Sequence, residues 1–230
     1  TVVHLAWEGL PDYSLEMCKR NLEHSLNMFS LAAKVGCSCI LSTGSCWEYE
    51  CRSGQLTEND TLNTAAIFSA VKNSLRFVGE AIAKENGIKF YWLRLFFVYG
   101  PGQRPGSLIP HIIEFAKNGL APQIKSPHNR NDFVFVKDVA RAIADILKVQ
   151  PENTIYNIGS GHPTAVEDIA HIAYGVLNKT FNRSSFPDQT SIVQNFWADI
   201  SRISHDIGWC PEYDIESGIK ATLENLKVRN

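Results

Sequence analysis

The sequence predicts an α/β fold built on a parallel sheet. Short apolar runs at residues 2–6, 39–42 and 89–95 read as strands. Two long segments, 14–34 and 64–84, lie between them. In the first, Leu15, Cys18, Leu22, Leu26, Phe29 and Ala33 recur every three or four positions, the mark of a helix with one apolar face. Strands joined through helices of that length pair in parallel, because a parallel pair needs a crossover where an antiparallel pair needs only a tight turn.

Each element has a local cause. Val2-Val3-His4-Leu5-Ala6 ends abruptly, as a buried strand does, and Gly36 breaks the first long helix ahead of Cys39-Ile40-Leu41-Ser42. The polar stretch 51–63 reads as a loop leading into the second long helix, which Asn86-Gly87 stops before the third strand. Beyond Tyr99-Gly100-Pro101-Gly102 the pattern changes. Residues 109–118 read as helix, 133–136 as strand, and 138–148 as a helix capped by Asp138. Residues 154–158 read as a strand closed by Gly159-Ser160-Gly161, 166–177 as helix, and two short helices follow Ser201. The expected organisation is an α/β part, 1–100, and a mixed region, 101–230, some of whose segments return to the sheet. A cleft between them, at the carboxyl edge of the sheet, is where open α/β sheets bind ligands.

Composition narrows the class. The 230 residues carry 22 basic and 24 acidic side chains and a formal net charge of −2, so no basic field exists and nucleic acid is not an expected partner. No apolar run reaches the roughly 18 residues of a membrane span, and the start lacks the basic region of a signal peptide. Six cysteines without a Cys-x-x-Cys pair argue for reduced thiols rather than a zinc site, so a cytoplasmic protein without a metal is expected.

Three clusters carry the candidate chemistry. Ser42-Thr43-Gly44-Ser45-Cys46-Trp47-Glu48-Tyr49 places hydroxyls and a glycine at a strand's carboxyl end. Phe68-Ser69-Ala70-Val71-Lys72 puts Phe68 and Lys72 one helical turn apart on one face. Arg94-Leu95-Phe96-Phe97-Val98-Tyr99-Gly100-Pro101 ends the next strand. Read with His4-Leu5-Ala6-Trp7, Asn21, the segment 132–140, Asn157-Ile158-Gly159-Ser160-Gly161 and Ala198-Asp199-Ile200-Ser201-Arg202, these clusters resemble the extended short-chain dehydrogenase/reductase family of nucleotide-sugar epimerases, dehydratases and ketoreductases. The resemblance runs from Val2 to about residue 225 and implies a Rossmann-like sheet with helices on both faces.

What the resemblance implies falls on particular residues. Counting four back from Tyr49, Ser45 takes the place of the hydroxyl that hydrogen-bonds the sugar oxygen at the reacting carbon. Lys72 matches the lysine that holds the nicotinamide ribose and favours the phenolate of a tyrosine. Ala6, Trp7 and the segment Phe96, Phe97 and Val98 complete the expected contacts to NAD or NADP. Cys46 and Trp47 stand where dehydratases carry Asp-Glu, so dehydration is disfavoured and hydride transfer at a sugar keto carbon remains, as a 4-epimerase or a 4-ketoreductase. Arg130 is the expected contact to the nucleotide diphosphate, and Phe97 removes a polar contact by replacing an asparagine. His111 and Lys117 lie near the expected substrate helix, with surface roles equally open. A homodimer through the helices 14–34 and 64–84 is expected.

Two departures stand against that pattern. Phe68 occupies the position of the tyrosine in the family's Tyr-x-x-x-Lys, so the usual proton donor is missing, a loss typically worth about 10²–10⁴-fold in rate. A variant made to trap a ligand, a natural member that has lost activity, and a substitute donor such as Tyr49 or a water held by Ser45 all fit. The Gly-x-x-Gly-x-x-Gly turn that cradles the pyrophosphate is absent before Val2, which suggests a fragment or a chain whose first part is supplied elsewhere. A non-catalytic member serving as a binding or scaffolding subunit is the alternative reading.

Overall fold

A computed structural model describes residues 1–183, 186 and 192–228. Its central sheet is wholly parallel, in the order β1 (Val2–His4), β2 (Cys39–Ser45), β4 (Lys89–Leu95), β7 (Ile155–Ile158). Between β1 and β2 runs α1 (Leu15–Lys34), and between β2 and β4 runs α2 (Ile67–Glu85), as crossover helices must. Ser14 starts α1 by accepting from the Met17 N–H at 3.3 Å.

Alternation along the strands sorts their side chains into two cores. Ile40, Phe90 and Trp92 face Phe29 and Ala32 of α1 and Leu75 and Ala83 of α2. The intervening Cys39, Leu41, Tyr91 and Leu93 face the opposite side, where Val139, Ala142 and Ile146 of α4 (Val136–Val149) join Ile203 of α6 (Ser201–Ile207) and Trp209. The fold is therefore a Rossmann-like α/β sandwich with helices on both faces.

A second sheet follows the order β3 (Ser53–Leu56), β9 (Asn195–Ala198), β6 (Arg130–Phe135), β5 (Phe97–Tyr99), with β8 (Pro163–Ala165) antiparallel to β6. Against it pack α3 (Leu108–Asn118), α5 (Val166–Val176) and α7 (Ile215–Val228), around Ile109, Ile112, Phe135, Ile169 and Ile219. Because β4 runs almost directly into β5, the chain passes from an inner strand of the central sheet to the edge strand of the second.

Three expectations need correction. The loop expected at 51–63 contains β3, and β8 and β9 have no counterpart in the periodicity reading. Asp138 does not cap α4: the helix starts at Val136, and the buried Asp138 carboxylate accepts instead from the backbone N–H groups of Glu212 at 2.9 Å and Tyr213 at 3.1 Å. The last helix is not short, since α7 runs for 14 residues.

Candidate active site

The carboxyl end of β2 is where the candidate residues meet. Ser45 ends the strand and caps the single 3₁₀ turn at 46–48, its Oγ accepting from the Trp47 N–H at 3.2 Å. Glu48 completes the capping box, its Oε1 accepting from the Ser45 N–H at 2.7 Å. That carboxylate is fully buried. It also accepts from the Trp92 indole N–H at 3.0 Å and from Arg94 Nε at 2.9 Å, both on β4. Gly44 permits this approach, because a Cβ there would overlap the Glu48 carboxylate and the Trp92 indole.

Arg94, 1% exposed, extends the buried network. Its second arm donates to the Tyr49 hydroxyl and to the Glu58 carbonyl, each at 3.0 Å. The Tyr49 hydroxyl donates in turn to Asn157 Oδ1 at 2.6 Å, and the Asn157 N–H donates to Glu58 Oε1 at 2.9 Å. Burial pushes the Tyr49 phenol up to about 12, against the opposing pull of Arg94. The Tyr49 hydroxyl is thus engaged on both sides within the buried network.

α2 delivers the other two residues. Ser69 Oγ donates to the Trp47 carbonyl at 2.6 Å, fastening the first turn of the helix to the loop after β2. Lys72, one turn on, donates from Nζ to the Thr43 carbonyl at 3.0 Å, two residues before Ser45. It is 6% exposed, and that desolvation lowers its ammonium to about 8. Trp7, just past the end of β1, lays its indole over the ammonium with Nζ 3.9 Å from the ring centroid. The same indole meets the Phe68 ring edge-to-face at 5.4 Å, and Tyr13 meets Phe68 at 5.0 Å.

Beside this cluster opens a cavity of about 390 Å³ lined by Tyr13, Trp47, Ala66, Ile67, Phe68 and Ser69. Its walls are mostly apolar. Trp47 carries the Arg52 guanidinium over its ring at 4.5 Å and stands 6.5 Å from Phe97, which links the cavity to the second sheet.

Ser45, Phe68, Lys72, Trp7, Trp47 and Phe97 thus gather in one region. Cys46 does not face it: the side chain is 2% exposed among Tyr49, Leu56, Phe96 and Phe196, with its thiol pushed up to about 12 by burial. Phe96 is core as well, and Val98 is partly buried on the opposite face of the sheet. Ala6 is exposed beyond β1. Arg130 is exposed at the start of β6, donating to the Pro163 carbonyl at 3.2 Å and outside the cavity wall. His111 is half-buried against Phe115, and Lys117 lines a different groove, beside Gly100 to Gly106. Sequence reasoning missed Glu48, Tyr13 and Ser69. The capping pattern Ser45-x-x-Glu48 was the signal available for Glu48.

The family model described as NAD dependent epimerase/dehydratase family matches residues 1–159, and the chain belongs to that family. Among curated relatives, it is 26% identical over 238 residues to UDP-glucuronate 4-epimerase of Thermodesulfobacterium geofontis, covering 99% of this chain and 73% of that one. It is 24% identical over 242 residues to dTDP-4-dehydro-6-deoxyglucose reductase of Escherichia coli, covering 100% and 75%. Among solved structures, UDP-glucose 4-epimerase of Thermotoga maritima with UDP-glucose superposes with a TM-score of 0.85 at 22% identity, covering 99% of this chain and 77% of that one. At that identity the likeness speaks for the fold. No helix among the described residues is long and apolar enough to cross a membrane.

Proposed function

We propose that the chain is an NAD(P)-dependent nucleotide-sugar 4-epimerase or 4-ketoreductase whose turnover is weakened by Phe68. The observation that carries this reading is the convergence of Ser45, Phe68 and Lys72 at the end of β2, in a family of nucleotide-sugar enzymes. A dinucleotide would supply the hydride carrier, taking up and returning the hydride in an epimerase and donating it in a ketoreductase. The residues fit its ribose: a lysine ammonium has three donors, and Lys72 uses one on the Thr43 carbonyl. Ser45 uses its oxygen as an acceptor for the Trp47 N–H, which leaves its O–H to donate to a sugar oxygen. Phe68 supplies shape and no proton, so the proton transfer that accompanies hydride transfer goes unassisted at that position.

In this reading residues 1–100 serve the dinucleotide and 101–230 most of the sugar nucleotide, with Arg130 toward the diphosphate. The chain pairs through α1 and α2 as a homodimer in the cytoplasm. Leu31 on α1 and Phe77 on α2, each more than half exposed, support that pairing. A second reading, a binding or scaffolding member without turnover, is favoured by Phe68 together with the Trp7 indole on Lys72.

Restoring the hydroxyl separates them. F68Y and the parent chain are incubated with NAD or NADPH and a panel of UDP- and dTDP-sugars, 4-keto sugars included, with product followed by chromatography. The enzyme reading expects F68Y to turn over about 10²–10⁴ times faster than the parent. An F68Y that binds a nucleotide sugar and converts none supports the binding subunit instead.

A further inference from the structure

We propose that Trp7 is a cover built into the chain, closing the face of Lys72 that the dinucleotide reading requires, so that cofactor entry demands displacement of the indole. The inference rests on the assignment of Lys72 to the nicotinamide ribose. Lys72 Nζ is held between the Thr43 carbonyl, 3.0 Å away, and the Trp7 ring, 3.9 Å from its centroid. The ammonium is thus bounded by a carbonyl and the Trp7 face, with the Trp92 ring 6.0 Å away on another side and the buried Glu48 carboxylate as the charge that favours its protonated form. A ribose hydroxyl approaching Nζ meets the indole first.

The cover is built to move. The Trp7 indole N–H is buried without a hydrogen-bond partner, so the closed position leaves a donor unsatisfied that water or a ligand acceptor would satisfy on opening. The ring is held by its contact with Lys72, by the edge-to-face contact with Phe68 and by packing at the margin of the core between the sheet and α1 and α2, from which a side-chain rotation must withdraw it. The backbone just beyond it is fixed. Asn21 accepts from the Glu8 N–H at 2.8 Å and donates to the Glu8 carbonyl at 3.1 Å, so the movement falls on the Trp7 side chain. Small residues at this place would leave Lys72 open; an indole closes it.

The test needs no turnover. In the full chain and in W7A, the rate of reductive methylation of Lys72 is read by peptide mass spectrometry, with exposed Lys148 as the internal standard, and NAD affinity is measured by calorimetry. The cover predicts Lys72 labelled at least about tenfold faster in W7A, NAD bound at least about tenfold tighter (about 1.4 kcal/mol), and NAD slowing the labelling again. W7L, which keeps apolar bulk without an aromatic face, serves if W7A does not fold and is expected to fall between the two. Equal labelling in parent and variant overturns the cover itself. Faster labelling with equal, measurable NAD affinities overturns the gate while leaving the cofactor assignment standing. Faster labelling with no NAD binding by either protein overturns the assignment of Lys72 to the ribose, and the gate with it.

Discussion

The residue whose environment differs most from its sequence appearance is Glu48. In sequence it is one more acid after a tryptophan; in the fold it is fully buried and holds Ser45, Trp92 and Arg94 at once. Removing it leaves Arg94 buried without its counter-charge. E48V is therefore expected to lose about 3–5 kcal/mol of stability in urea denaturation. The double variant E48V/R94M removes the orphaned charge and should recover much of that loss; no recovery would show that Glu48 acts through the Ser45 turn rather than through Arg94. Lys72 is a cation kept dry between the Thr43 carbonyl and the Trp7 ring, with the Glu48 carboxylate only partly offsetting its desolvation. Its amine should titrate near 8, well under an exposed lysine, when followed by NMR of selectively labelled lysine.

At the scale of elements, the site depends on how β2 ends and where α2 begins. Ser45 joins the two, since it ends β2 and caps the 3₁₀ turn whose Trp47 lines the cavity and takes the Ser69 hydroxyl of α2 on its carbonyl. S45A should cost about 1 kcal/mol as a lost cap, while S45T, which keeps the hydroxyl, should hold that stability; thermal melts of both decide it. The pair α1 and α2 also presents Met28, Leu31 and Val35 on one helix and Phe77 and Val78 on the other to solvent. If these helices form the dimer, a charge at Phe77 (F77E) yields a monomer in light scattering after gel filtration, with unchanged circular dichroism. A parent chain that is already monomeric would sink that pairing. Of the strands that sequence reasoning missed, β3 shows why most plainly. Ser53–Leu56 is polar and short, and its pairing comes entirely from β9, a remote strand. A strand whose only support is a distant partner carries no periodicity of its own.

For the whole molecule, the buried titratable groups set the response to alkali. The Cys46 thiol and the Tyr49 phenol are each pushed up to about 12 in the fold from 9.0 and 10.0. Unfolded chains release those protons first, so the folded state binds more protons, and stability falls as pH rises from about 9 towards 12. Lys72 acts in the opposite sense. Its folded value of about 8 lies below the unfolded 10.5, so the unfolded chain binds more protons across that interval and stability rises through it. The urea midpoint is expected to rise slightly between pH 8 and 9 and to fall above about pH 10, and K72M should abolish the rise. A parent chain with no rise would place Lys72 in water.

The strands of the central sheet with their crossover helices, the parallel character of that sheet and the spacing of Phe68 and Lys72 were all legible in the sequence. Each is encoded by neighbours within a turn or a strand, where periodicity of 2 or 3.6 states which face is buried. The place of Ser45 was implied by the family resemblance, counted back from Tyr49. What only the tertiary structure decided were meetings between remote positions: Glu48 with Trp92 and Arg94, Tyr49 with Asn157, and Trp7 on Lys72. Cys46 turns inward because the 3₁₀ turn after Ser45 rotates it onto Phe96 and Phe196, which arrive from other strands. Local pattern fixes which residues are buried. Long-range packing alone decides what each buried group finds there, and in this chain it brings the Lys72 amine under the Trp7 ring and the Phe68 ring to the cavity wall.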